Sequence, residues 1–345
     1  MKSVSITPEM SARFANLAVI SALMVIVLHA GANCERLSSG WWFVTLSKAV
    51  AKMAVPVFFL MSGAFLAGHF EENGWWKNET LKRIRTLLVP FWVWNFLWWA
   101  YLVVMGIVSD ASSGAPVGSD FGWQFSSRVF WGIVGLNILS SPFYSVTWFL
   151  RTLFVFVLIS PVVLSLMRKC PIVTLVGFFI ADCLVRGGVA DCGFLRFFIA
   201  TEGLVWFTLG IGWRIGAVPI PKIGNGMKTL LWAGWVLALL GHIAFAVLEV
   251  RLPFSWLSLI IPLSMVLLFL YVPTRRFPGW LVSSALPCYL LHMFFLSVFR
   301  IVITTSRNYA LVVIGEVLFA FMGSVVFSVL IRRVGQPVGK FLFQR

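Results

Sequence analysis

The sequence is poor in what a water-soluble surface requires. Only 11% of its 345 residues are charged, and Asp and Glu together number 12. A soluble domain of this length must cover itself with polar side chains, which this chain does not supply. Segments of about 10 residues alternating apolar and polar are also missing, which excludes a transmembrane β-barrel. The five cysteines (Cys34, Cys170, Cys183, Cys192 and Cys288) show no metal-ligand or redox spacing. Cys183 and Cys192 fall near the outer end of a helix pair, where they either form a disulfide or stand as small unpaired hydrophobes. No linker or composition break divides the chain, so residues 1–345 are read as one domain. No internal repeat is evident, which counts against an inverted-repeat transporter. The first apolar run is long and continues as an ordinary span rather than a cleavable signal peptide.

What the chain does have is apolar length. Sixty per cent of the residues are hydrophobic and the mean hydropathy is +0.95. The hydrocarbon core of a bilayer is about 30 Å thick, so a spanning helix takes roughly 20 apolar residues. Runs of that kind predict an all-α integral membrane protein, a single bundle of about ten transmembrane helices. The expected spans are 14–33, 46–67, 87–108, 147–167, 171–187, 197–213, 228–249, 254–272, 279–299 and 309–331. A weaker apolar stretch, 129–140, contains Gly and Asn and reads as an outer-surface or re-entrant helix.

Charge sets the expected orientation. With the N-terminus in the cytoplasm, the inside segments carry seventeen of the 27 Lys and Arg residues, including Lys82, Arg83 and Arg85 before the third span. Both termini are therefore expected inside. The net charge of +15 does not point to nucleic acid, because the basic residues sit between apolar runs, where they fix topology. The Lys82–Arg85 group reads first as such an anchor and second as a site for an anionic donor or lipid headgroup.

Ionisable groups inside a bilayer cost several kcal/mol and are functional candidates for that reason. His29 follows about 15 residues of the first span, a rise of roughly 22 Å, which places it in the outer third of the membrane. It is either a satisfied interfacial histidine or a catalyst. Lys52 opens the run KMAVPVFFLMSGAFLAG, in which Pro56 and the pair Ser62-Gly63 interrupt an apolar face. That run reads equally as a kink with close packing at Gly63 and a snorkelling lysine, or as a cationic cavity lining. Trp148, Phe149 and Arg151 stand at the outer start of the fourth span, where Arg151 can also serve as an interfacial anchor. Tyr289 and His292 are three apart and share a helical face, with Pro287 expected to distort the helix just before them. Asp182, Glu202, Glu249 and Glu316 are acids in or near apolar runs, any of which could orient a histidine.

Taken in order, these pieces resemble the acyltransferase-3 family of membrane acyltransferases over nearly the whole chain. The matching features are His29 ending the first helix, Lys52 with VPVFFLMSG, and RIRTLLVPFWVW opening the third. Trp148-Phe149 with Ser160-Pro161 and Tyr289 with His292 complete the series. The resemblance implies transfer of an acyl group, commonly acetyl, from cytoplasmic acyl-CoA to a hydroxyl of a glycan or lipid-linked sugar. The implied setting is a bacterial cytoplasmic membrane. It also implies that His29 is the catalytic residue. Lys52, Ser62, Trp148, Arg151, Tyr289 and His292 are the expected substrate-binding set. No metal and no permanently bound cofactor are expected, acyl-CoA being a co-substrate.

One departure stands out. The family pattern usually has an Arg eleven residues before the histidine and an Asp three residues earlier, where this chain has Ala18 and Ala15. Eleven residues turn a helix by about 1100°, so such an Arg would share the histidine's face about 16 Å away. Arg13, sixteen residues upstream, is turned by about 160° and is no substitute. Lys52, where the family commonly has Arg, keeps the charge and loses the bidentate fork. A glycan or lipid transporter and a diverged non-catalytic family member are the competing readings.

Overall fold

A computed structural model describes residues 4–31, 53–113, 127–134, 142–186, 201–219, 224–247, 275–302 and 309–334, with a few single positions between them. Every regular element among them is helical. The longer ones are α1 (Pro8–His29), α2 (Ala54–Leu66), α3 (Trp75–Arg83), α4 (Val89–Ser113), α5 (Ser127–Val134) and α6 (Trp148–Lys169). There follow α7 (Pro171–Arg186), α8 (Thr201–Arg214), α9 (Asn225–Val247), the single turn α10 (Gly279–Val282), α11 (Ala285–Val302) and α12 (Tyr309–Val334). Among the described residues, four helical segments have the length and composition to cross a membrane: Pro8–His29, Trp75–Ser113, Ser145–Lys169 and Ala310–Arg333. Ala54–His69, Pro171–Val185 and Ala285–Arg300 are shorter and apolar. The expected span 254–272 lies almost wholly outside the described residues, as does most of the stretch after α5.

Burial runs opposite to that of a soluble protein. On α12 the large residues Leu311, Ile314, Leu318, Met322, Val326 and Leu330 are exposed at helical spacing, while Glu316, Ser324 and Ser328 face inward and are buried. On α7, Ile172, Val176, Ile180 and Leu184 form a similar outward stripe. Such stripes are costly against water and at home against lipid tails, where every backbone group must be satisfied within the helices. Inside, van der Waals packing between small residues takes over from the hydrophobic effect. The closest contact pairs α2 with α8. A Cβ on Gly63 would strike the Phe207 carbonyl, and one on Gly210 would strike the Leu60 carbonyl, so each glycine admits the other helix's backbone.

The prolines of two expected motifs stand at breaks in their helices. The expected span 279–299 is split at Ser283–Ser284 into α10 and α11, the distortion expected of Pro287. Pro287 itself lies in the first turn of α11, after Ser284, where a missing N–H costs little because first-turn donors have no partner within the helix. Pro56 likewise lies in the first turn of α2, following the turn residue Met53. Pro161 is a true interior proline, and the carbonyl it strands, that of Val157, accepts the Ser160 hydroxyl at 2.6 Å.

Several segments assigned to one side by charge are brought together at one end of the bundle. The Val4 N–H donates to the Arg214 carbonyl at 2.8 Å, and the Arg214 guanidinium donates back to the Val4 carbonyl. Gly68 lies beside that guanidinium. Asn16 donates to the Arg275 carbonyl at 2.8 Å and accepts the Phe277 N–H at 2.8 Å, tying the 275–278 segment to α1. On α3, ahead of the expected span 87–108, Glu79 is buried against Lys82 (2.9 Å), Arg83 (3.3 Å) and His69 (3.9 Å). Burial by itself pushes the Glu79 carboxyl up. The hydrogen bond from Lys82 and the charges of Arg83, Lys82 and His69 outweigh it, and the net shift is downward.

Candidate active site

The site begins where α1 stops. The last carbonyls of a helix have no partner within it and carry partial negative charge, which favours a cationic cap. His29 is the last helical residue, and its carbonyl accepts Nη2 of Arg300 at 2.8 Å. Gly31, in the left-handed region at φ 61°, turns its N–H away from the helix onto Oε2 of Glu316 at 2.5 Å. The other carboxylate oxygen, Oε1, accepts Nε of Arg300 at 2.7 Å. One ion pair between α11 and α12 thus holds both sides of the His29 backbone. Glu316 is among the acids read from the sequence, where nothing gives its partner. Arg300 is not among the sequence candidates; its one signal is a basic residue closing an otherwise apolar helix.

His292, on α11, faces His29 with ring centroids 5.2 Å apart and planes tilted by 38°. Its Nδ1 lies 2.8 Å from the Tyr289 carbonyl. A carbonyl can only accept, so the proton is assigned to Nδ1 from that bond. His292 is fully buried, and its Nε2 has no hydrogen-bond partner among the described residues.

An aromatic wall adjoins the histidines. Phe58 of α2, Phe149 of α6 and Tyr289 of α11 form a triangle with centroids 5.7 to 6.2 Å apart, and Tyr289 lies 6.3 Å from His292. The Tyr289 hydroxyl is spent on the Val146 carbonyl, so this tyrosine fixes the turn that opens α6. That turn is held from a second side by Asn95 of α4. Its oxygen accepts the Tyr144 N–H at 2.7 Å, and its amide donates to the Thr147 hydroxyl at 2.9 Å. Tyr144 in turn donates to the Leu290 carbonyl at 2.6 Å. Neither Asn95 nor Tyr144 stands out in the sequence, because a polar residue in an apolar run gives no sign of its partner.

These bonds set the first turn of α6. Trp148 packs on Phe59, with centroids 6.2 Å apart, and Arg151 is buried one turn further on. Ser62 is half-buried on α2 beside Gly63. Lys52 lies outside the described residues, as do Cys192, Glu249 and the side chain of Glu202. Asp182 is buried on α7. The structure therefore brings His29, Tyr289, His292 and the Phe of Trp148-Phe149 into one neighbourhood, from positions far apart in the chain.

A family model described as an acyltransferase domain matches residues 16–333, nearly the whole chain. The chain belongs to the acyltransferase-3 family. It is accordingly a multi-pass membrane protein of an acyltransferase family, and the converging residues are those that carry the resemblance. No curated protein and no solved structure matches it.

Within this acyltransferase the departure upstream of His29 has a structural counterpart. Ala18, where the family usually has Arg, packs half-buried between the two apolar clusters of the core. Asn16, next to Ala15, is occupied in holding residues 275–277. The next charge up the helix is Arg13, already paired with Glu9 at 2.5 Å.

Proposed function

We propose that this protein is an O-acyltransferase of the cytoplasmic membrane. It moves an acyl group, acetyl in the first instance, from cytoplasmic acyl-CoA to a hydroxyl of a cell-surface glycan or lipid-linked sugar. The single observation that carries this reading is His29 at the end of α1, braced by Arg300 and Glu316 and facing His292. Holding the end of α1 from two sides fixes where the His29 side chain sits, which is the positioning that catalysis requires.

In this reading both termini are cytoplasmic, and the basic loops attract the phosphates of CoA. Neutral His29 takes the proton of the acceptor hydroxyl as its oxygen attacks the thioester carbonyl. The carbon–sulfur bond breaks, and the proton passes from His29 to the departing CoA sulfur. Lys52 or Arg151 stabilises the oxyanion or positions the acceptor. Ser62, Trp148 and the Tyr289 wall shape the acceptor side.

The test is release of free CoA from acetyl-CoA by purified protein in nanodiscs, with simple sugars and octyl glucoside as hydroxyl donors. Wild type is run beside His29→Ala. The expected result is transfer that disappears in the variant. A second reading, a family member that no longer catalyses, is favoured by Ala18 lying packed among apolar residues. It predicts no CoA release from either protein and no binding of acetyl-CoA.

A further inference from the structure

Glu316 is the residue nearest in chemistry to the acid that orients a catalytic histidine, but the bonds the structure gives it go elsewhere. Both of its oxygens are engaged, one by Arg300 and one by the Gly31 N–H. An imidazole that accepts a proton becomes a double donor, and its second N–H needs an acceptor in a region that water does not supply. In Ser-His-Asp sites a carboxylate fills that position. His292 presents another kind of acceptor here. Its Nδ1 proton is committed to the Tyr289 carbonyl, which leaves Nε2 a lone pair, buried and without a partner among the described residues.

The separation fits such a bond. A ring nitrogen stands about 1 Å from its centroid, so two imidazoles joined by a bond of about 3 Å have centres roughly 5 Å apart. The two centroids are 5.2 Å apart. Nε2 of His292 makes no such bond in the structure, so closing it takes a turn of the His29 ring while Nδ1 of His292 stays on the Tyr289 carbonyl.

We propose that His292 is the positioning residue of the reaction, its Nε2 accepting the N–H of His29 that faces away from the acceptor hydroxyl. This rests on the reading of His29 as the base and assigns to a neutral histidine the place a carboxylate holds elsewhere. The bond fixes the His29 tautomer, turning its unprotonated nitrogen toward the hydroxyl. While His29 holds the proton taken from the hydroxyl, the bond shortens. His292 neither gains nor loses a proton over the cycle, and His29 returns its own to the CoA sulfur.

The experiment compares wild type, His292→Phe and His292→Gln in nanodiscs with acetyl-CoA and the best acceptor of the sugar panel. Phe keeps the volume without an acceptor, and Gln puts an amide oxygen within reach of the Nε2 position. Phe is expected to lower kcat about 100-fold with KM for acetyl-CoA unchanged, and Gln to restore about tenfold of that loss. Unchanged kcat in His292→Phe, or a loss confined to KM, overturns the proposal. So does a fall in melting temperature that accounts for the lost activity and that Gln does not reverse. A second readout does not need turnover. In spectra of protein labelled with ¹⁵N-histidine, His292 is expected with its proton on Nδ1, and the His29 resonances are expected to move in His292→Phe and to stay near wild type in His292→Gln. A proton on Nε2 of His292, or His29 resonances indifferent to the Phe change, overturns the proposal. Absence of CoA release from wild type would instead count against the function proposed above, with the spectra still deciding the pairing.

Discussion

The carboxylate of Glu316 accepts the Gly31 N–H at 2.5 Å while pairing with Arg300, so a residue near the C-terminus of the chain fixes the end of the first helix. The pair sits where breaking it is expensive. Glu316 is 2% exposed, and Arg300 retains about a third of its exposure.

Removing Glu316 strands the guanidinium and the Gly31 N–H together. Glu316→Ala is expected to destabilise by about 2 kcal/mol, discounted from the fully buried case because Arg300 is partly exposed. Glu316→Gln, which keeps an acceptor for Gly31, should lose less. Thermal unfolding in detergent measures both, and the double variant with Arg300→Ala should cost less than the sum of the single changes. Additive losses would mean that the two side chains do not act as a pair.

Asn95→Leu keeps the approximate volume and removes both ends of the bond set around residues 144–147. The Tyr144 N–H loses its partner in a buried setting, at about 1–3 kcal/mol, while the Thr147 hydroxyl keeps its bond to the Tyr144 carbonyl. The expected result is a clear fall in melting temperature, with CoA release falling further than stability explains, because Trp148 and Arg151 follow that turn. Wild-type melting in Asn95→Leu would show that the turn is held without it.

At the α2–α8 contact, Gly63→Ala and Gly210→Ala each push a methyl into an opposing backbone carbonyl. A rigid carbonyl cannot yield as a side-chain tip can, so both variants should yield little folded protein. Gly177→Ala, on the outward face of α7, meets nothing within 4 Å. It should be neutral or gain up to about 1 kcal/mol through helix propensity. Fluorescence-detected gel filtration distinguishes the three; equal behaviour would remove the close-packing argument.

The Glu79 cluster predicts a pH dependence of known sign. Its carboxyl is held below the ordinary 4.5, so its contribution is present above that value and is lost as pH falls through the lower folded value. Glu79→Gln should melt below wild type at neutral pH by about 1 kcal/mol, given that Lys82 and Arg83 are partly in water. The difference should vanish as the buffer is taken well below pH 4.5. A difference that persists in acid would assign the effect to packing.

Much of the helical layout is legible in the sequence because the bilayer imposes one length and one polarity on every span. Helices α1, α4, α6, α7 and α12 begin or end within a few residues of the apolar runs that predict them. Pro287 follows the break at Ser283–Ser284 that splits the expected span 279–299, because its ring cannot sit against the carbonyl four residues earlier in an unbroken helix. His29 and His292 are each visible as rare intramembrane ionisable groups. Their pairing is not visible, since 262 intervening residues say nothing about which faces of α1 and α11 meet.

Composition and motif order suffice for the class: a chain too apolar for water, with the ordered motifs of one family, must place its few polar groups inside a helical bundle. How those groups are spent depends on how the helices pack. Glu316 serves the Gly31 backbone and Arg300, Tyr289 serves the Val146 carbonyl, and His292 keeps a buried Nε2 that has no hydrogen-bond partner among the described residues. Apolar periodicity follows from the solvent and can be read along the chain. A hydrogen-bond partner in the interior is set by the rotation and crossing of helices, which packing fixes in three dimensions.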